Sequence, residues 1–120
     1  MDESRSALFK ECKQKLLKLR QERLNGLKAL EGSLTDQVSG DEGDMAQTFE
    51  NQHSALVQRE KLIYELREID DALRRVDEGS YGECEVTGEP IESERLKAIP
   101  WTRLSIEGAE FRENSRKKYA

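Results

Sequence analysis

Two long runs with helical apolar periodicity, separated by ten turn-forming residues, constrain the fold of this chain more than any other feature. The first run covers about residues 4–34 and contains no proline. Its apolar side chains recur at helical spacing, first at Phe9, Cys12, Leu16 and Leu19. Beyond Arg23 the pattern resumes at Leu24, Leu27, Leu30 and Leu34. This change of phase indicates a local shift in a coiled-coil seam.

The second run covers about residues 45–77 and shows two overlapping patterns. In the first, apolar residues recur every seven positions, at Phe49, Leu56 and Ile63. In the second, the spacing between apolar residues alternates between four and three positions, at Leu62, Leu66, Ile69, Leu73 and Val76. Between the runs, residues 35–44 concentrate Gly, Asp and Ser, which favour turns, and Asp44 is placed to cap the second helix. We therefore predict an antiparallel helical hairpin, about 45 Å long, over residues 1–77.

Composition limits the classes of function. Charged residues make up 38% of the 120 residues, and the formal net charge is −5. An acidic chain is poorly suited to bind DNA through its phosphates, so we expect no direct sequence-specific DNA binding. We expect no membrane span and no signal peptide, because no apolar run reaches the required length. Cys12 and Cys84 do not suggest a disulfide framework, which favours the cytoplasm.

Residues 78–120 predict a small lobe with the layout of a degenerate zinc ribbon. Positions 84, 87, 105 and 108 have the spacing of a four-cysteine zinc site, but they are occupied by Cys84, Thr87, Ser105 and Gly108. Two hydroxyls and a glycine do not supply the anionic ligands that structural zinc requires. We expect no metal and no other cofactor. Because Glu83 and Glu85 flank Cys84, we expect this cysteine to remain a structural thiol.

Apolar contacts must then hold the lobe together. The candidates are Tyr81, Val86, Ile91, Leu96, Ile99, Trp101, Leu104 and Ile106. A short C-terminal helix over about residues 107–119 is predicted to pack Phe111 inward. The fold class is therefore mainly α: a long antiparallel coiled-coil hairpin, a small degenerate zinc-ribbon-like lobe and a short C-terminal helix.

Two motifs resemble one known family. The lobe contains Tyr81-Gly82-x-Cys84-Glu85-x-x-Gly88-x-x-Ile91 followed by Arg95-Leu96-x-Ala98-x-Pro100, and the hairpin tip contains Asp41-x-x-Asp44-x-Ala46. Both are similar to motifs of the DksA/TraR family of RNA polymerase regulators. The resemblance implies a monomer whose hairpin enters the secondary channel of RNA polymerase. It also implies that Asp41, Asp44 and Ala46 act near the active centre, whereas aspartates in a turn ordinarily only solubilise it and cap a helix.

The chain departs from the family pattern at several positions. The missing cysteines suggest a zinc-independent member, serving when zinc is scarce or thiols are oxidised. In the family, basic residues on the second helix and the lobe contribute to a guanosine tetraphosphate site. The aligned positions here are Glu68, Ile99 and Ala109, which offer little attraction to a polyanion. We therefore expect weak or absent dependence on that nucleotide.

Other classes of protein remain open from the residues alone. The heptads suit a plain coiled-coil dimerisation module, and acidic tip residues suit a Gre-like transcript-cleavage factor that holds a magnesium ion. The motif from Tyr81 to Pro100 argues against a Gre-like factor. We expect no enzyme, because His53 is the only histidine and no nucleophile and base are paired in the sequence. The spacing of an EF-hand calcium loop is absent.

Overall fold

A computed structural model describes the backbone of residues 3–38 and 45–119 and the side chains of residues 3–33 and 45–117. Four helices span Glu3–Val38 (α1), Met45–Glu78 (α2), Ser93–Ala98 (α3) and Ile106–Tyr119 (α4). The molecule extends 62 Å along its longest axis and 21 Å along its shortest. Within the described segments, no helix is both long enough and apolar enough to cross a membrane.

The predicted antiparallel hairpin is confirmed by α1 and α2. Ion pairs join positions that rise along α1 to positions that fall along α2: Lys13 to Asp77, Arg20 to Asp70, Arg23 to Glu65 and Glu31 to Arg59. The Arg23 guanidinium donates to Glu65 at 2.6 Å, so an ion pair occupies the seam where the apolar pattern shifts. α1 also continues over residues 35–38, which the sequence assigns to the tip, because these four residues include no glycine or proline.

The core lies at the base of the hairpin, where the lobe packs against both long helices. Its buried residues come from α1 (Leu8, Cys12, Leu16), from α2 (Ile69, Ala72) and from the lobe (Tyr81, Cys84, Ile91, Leu96). Val86, Trp101 and Leu104 pack against this cluster while partly buried, which agrees with the predicted lobe core. The lobe therefore shares one core with the hairpin and has no separate interior of its own.

The distal half of α2 presents a different face to α1 than the heptad pattern predicted. Phe49 and Leu56 are 74% and 51% exposed, whereas Ala55 is buried. A seven-residue spacing identifies a stripe on a helix, but it does not say which of two stripes meets the partner helix. The helix that this spacing predicts is confirmed, but Phe49 and Leu56 lie outside the seam.

Two glycines and a set of polar contacts shape the lobe. Gly79 and Gly82 have positive φ angles of 85° and 86°, and a Cβ at Gly82 would overlap the ring of Phe9 on α1. The Arg5 guanidinium donates to the carbonyl oxygens of Gly82 and Ile91, each at 3.0 Å. These contacts fasten the lobe to the first turns of α1.

Two residues predicted to support the lobe project away from it. Ile106 is 49% exposed and Phe111 is 62% exposed. α4 approaches the lobe through Gly108, which is buried, as is Ser105 just before the helix, so side chains on other faces of the helix point to solvent. The predictions for Ile106 and Phe111 were wrong because the helix packs through its small residues.

Candidate functional site

The four positions of the degenerate zinc ribbon come together around the sulfur of Cys84. The Thr87 backbone N–H donates to Cys84 Sγ at 3.5 Å. The Gly108 backbone N–H donates to Ser105 Oγ at 3.0 Å, and a Cβ added at Gly108 would overlap Cys84 Sγ. The loops thus keep the arrangement of a metal knuckle, while backbone and hydroxyl groups occupy the space around the thiol.

These residues do not fit a zinc ion. Cys84 supplies one thiolate, but the hydroxyls of Thr87 and Ser105 stay protonated near neutral pH, and Gly108 has no side chain. Among the side chains that the structure describes, no three His, Cys, Asp or Glu residues are grouped so that they could hold a metal ion. The sulfur of Cys84 is surrounded instead by hydrogen-bonding groups and closely packed atoms.

The ionisation of Cys84 differs from our expectation. The side chain is only 2% exposed, and this burial by itself raises the pKa of the thiol. Hydrogen bonds from Ser105 and Thr87 favour the thiolate more strongly and bring the pKa to about 6. The carboxylate of Glu85, which we expected to disfavour the thiolate, is instead turned toward Arg103, at 3.1 Å.

A cluster of ion pairs joins α2 to the lobe. Arg103 contacts Glu68 at 3.0 Å, Asp71 at 2.6 Å and Glu85 at 3.1 Å. Hydrogen bonding to Glu68 raises the pKa of Arg103 above its usual range, so the pairing strengthens its charge. This arginine therefore fixes the second half of the lobe to one side of α2.

Arg75, which is buried, also contributes to the contact between α2 and the lobe. The residue is 7% exposed and donates to Asp71 at 2.9 Å and to the carbonyl oxygens of Trp101 and Thr102 at 3.2 and 3.4 Å. Burial lowers its pKa, although its partners keep it charged. Sequence reasoning did not identify these arginines. The four-residue spacing of Asp71 and Arg75 was visible, but the contacts between α2 and the lobe were not.

The positions aligned with the family's nucleotide site do not form one basic surface. Glu68 and Ile99 line an open groove of about 270 Å³ between α2 and the lobe, together with Arg95, Arg103 and Arg112. The carboxylate of Glu68 is already paired with Arg103 there. Ala109 borders a different groove, along α4.

The predicted tip residues are only partly within the described structure. Ala46 is exposed in the first turn of α2. Asp41 and Asp44 lie outside the described residues, so their roles stay predictions. The end of the hairpin where Ala46 lies is opposite the end that carries the lobe.

A long helical hairpin whose base is packed against a finger-like lobe defines a recognisable architecture. The family model described as "Prokaryotic dksA/traR C4-type zinc finger" matches residues 79–114. This match covers the lobe and most of α4.

Known proteins match most of the remaining chain as well. The RNA polymerase-binding transcription factor DksA of Caulobacter vibrioides is 38% identical, over 84% of this chain and 72% of that protein. General stress protein 16O of Bacillus subtilis is 34% identical, over 78% of this chain and 61% of that protein. The solved structure of transcription factor DksA2 from Pseudomonas aeruginosa has a TM-score of 0.85 and 35% identity, over 93% of this chain and 87% of that one. This chain belongs to the DksA/TraR family.

The tight packing around Cys84 leads to a first prediction. Gly108→Ala is expected to lower the free energy of unfolding by about 1–3 kcal/mol, because the added methyl overlaps Cys84 Sγ. Urea denaturation measures the change. Gly32→Ala is the matched control, since a Cβ there meets nothing within 4 Å and α1 should become more stable by up to about 1 kcal/mol. A Gly108→Ala protein as stable as the parent would contradict the packing argument.

The low pKa of Cys84 predicts a pH-dependent contribution to stability. Between pH 6 and 9 the folded thiol is ionised while the unfolded thiol, with an ordinary pKa of 9.0, still binds a proton. The contribution of Cys84 ionisation to the free energy of unfolding is therefore complete above pH 9 and is lost as the pH falls through about 6. The difference in unfolding free energy between the parent and Cys84→Ala should grow over this range.

A second variant checks the cause of that pKa. Ser105→Ala removes a hydrogen bond that favours the thiolate, so the rise in stability should move to higher pH. A difference between parent and Cys84→Ala that stays constant from pH 6 to 9 would show that the thiol titrates normally.

Proposed function

We propose that this chain is a transcription factor that binds RNA polymerase directly, and that it is not an enzyme. The observation that carries the proposal is the likeness to a DksA2 structure over nearly the whole chain, together with a relative that is named an RNA polymerase-binding transcription factor. We propose further that the hairpin enters the secondary channel of the polymerase and places its tip near the active centre, where it modulates initiation.

The geometry supports insertion of the hairpin into a deep opening. α2 contains 34 residues, which corresponds to about 50 Å of helix. Paired charges such as Arg20 with Asp70 and Arg23 with Glu65, each at 2.6 Å, fix the register of α1 against α2. At the base, the Lys15 ammonium donates to the Lys97 carbonyl at 2.7 Å and adds a contact between α1 and α3. A narrow hairpin of this kind can enter a deep channel, while the broader base formed with the lobe remains outside the channel.

In this proposal the effect on transcription belongs to the tip. Asp41 and Asp44 would present carboxylates, and Ala46 would allow close approach of polymerase groups. Ala46 is exposed, as a contact residue must be.

Asp44→Asn tests the role of the tip by removing one charge with little change of shape. In vitro transcription should lose most of the parent's effect, while the affinity for RNA polymerase stays within about twofold of the parent's, since a single ion pair contributes little to affinity. Asp77→Asn is the matched control, because Asp77 is 75% exposed at the base of the hairpin, far from the tip.

Three outcomes separate the parts of this proposal. Loss of effect with binding retained places the function at the tip. An unchanged effect with Asp44→Asn would contradict the role of that carboxylate. Failure of the parent protein to bind RNA polymerase would contradict the proposed function itself.

We propose that the protein works without zinc. The support is the donor set around Cys84, in which a thiolate is held by hydroxyl and backbone groups. A member of this kind would keep its lobe folded when zinc is scarce. One equivalent of tightly held zinc per purified chain would contradict the proposal.

We also propose that the chain acts as a monomer in the cytoplasm, without direct sequence-specific contact to DNA. The acidic net charge of −5 is unfavourable to phosphate binding. Cys12 and Cys84 are both free and buried, which suits a reducing compartment.

Guanosine tetraphosphate is expected to add little to the activity. Three arginines line the groove, but each already has a partner: Arg103 pairs with Glu68 at 3.0 Å, Arg112 lies 3.9 Å from Glu85, and Arg95 donates to the Leu104 carbonyl oxygen. The carboxylate of Glu68 also repels a polyanion in the groove. The measurement is nucleotide binding to RNA polymerase with and without this chain, at fixed salt. Strong binding that depends on the chain would contradict this prediction.

A further inference from the structure

The distal half of α2 carries a row of exposed apolar side chains. Met45 is 81% exposed, Phe49 is 74% exposed and Leu56 is 51% exposed. At about 100° of rotation per residue the three lie within about 40° of one another, and they extend over roughly 17 Å of helix. We call Met45, Phe49 and Leu56 the distal stripe.

The distal stripe is not part of the hairpin seam. In the same half of α2, Ala55 is buried, and Leu62 is partly buried toward Gly26 on α1. These positions lie roughly a quarter turn or more from the distal stripe. Exposed side chains as large as Phe49 and Met45, aligned on one face, are typical of a binding surface.

The charge around the distal stripe indicates what kind of surface can cover it. Residues 29–58 contain six acidic residues and no lysine or arginine, which is a formal charge of −6 with histidine neutral. The whole chain has a charge of −5, so the other residues sum to +1. The negative charge is therefore concentrated in the part of the sequence that contains the distal stripe, and a complementary partner surface is basic.

A second copy of the chain is a poor occupant of the distal stripe. Pairing the two stripes would bring together two segments of charge −6, which repel each other. Three side chains also fall well short of the about 800 Å² per partner that stable dimers bury. The stripe suits a narrow apolar groove in a larger partner.

We propose that the distal stripe docks into an apolar groove, rimmed by basic side chains, on RNA polymerase; this rests on the proposed function. Phe49 and Leu56 then supply affinity, while the tip residues supply the effect on transcription. The insertion of one helical hairpin thus brings two separable activities to the same end of the molecule.

The test is a double variant, Phe49→Ala with Leu56→Ala, in a direct binding assay with RNA polymerase. We expect the affinity to fall at least tenfold, because the side chains that fill the groove are lost. Unfolding by urea should resemble that of the parent, since both side chains are largely exposed. Leu17→Ala is the matched control: Leu17 is 44% exposed on the proximal half of α1, and its truncation should leave affinity unchanged.

The outcomes distinguish this inference from the proposed function. If the parent binds the polymerase and the double variant binds equally well, the distal stripe is not the docking surface, while the proposed function stands. An equal loss with Leu17→Ala would also overturn the inference. If the parent sediments as a dimer and the double variant sediments as a monomer, the distal stripe joins two copies of the chain instead, and the inference is overturned. If the parent does not bind polymerase, the proposed function fails and the docking role fails with it.

Discussion

The rest of the structure depends on the shared apolar core where the lobe meets the base of the hairpin. Leu16 and Leu96 are fully buried there, on α1 and α3, and Ile69 joins them from α2. Each buried side chain of this size contributes about 1.5–3 kcal/mol. This packing and the ion pairs of Arg103 join the lobe to the hairpin. The direction of the hairpin relative to the lobe follows from the same contacts.

The surroundings of Cys84 show how a metal knuckle can be kept in shape without a full ligand set. Ser105 and Thr87 hold the sulfur by hydrogen bonds, and the absence of a side chain at Gly108 leaves room for it. These contacts also lower the pKa of the thiol, which adds a dependence on pH that a purely apolar core would lack. The spacing of the four positions is that of a four-cysteine zinc site, whereas the residues that occupy them are Cys84, Thr87, Ser105 and Gly108.

The two ends of the molecule differ in charge and in packing. At the base, Arg75 and Arg103 neutralise acidic residues of α2 and join helix to lobe. The distal half of the hairpin has an excess of acidic residues and leaves Phe49 exposed. The base of the hairpin is therefore closely packed and ion-paired, whereas its distal half presents exposed apolar side chains within an acidic stretch of the sequence.

The two long helices, the hairpin and the degenerate ribbon could be predicted from the sequence, because helical periodicity, turn residues and ligand spacing are local properties. The tertiary structure selects which apolar stripe of α2 meets α1, and it leaves Phe49 and Leu56 outside the seam. It also decided the ionisation of Cys84 and the partners of Arg103. Burial and pKa depend on groups that are distant in the chain, and spacing along a sequence does not specify which of them come together.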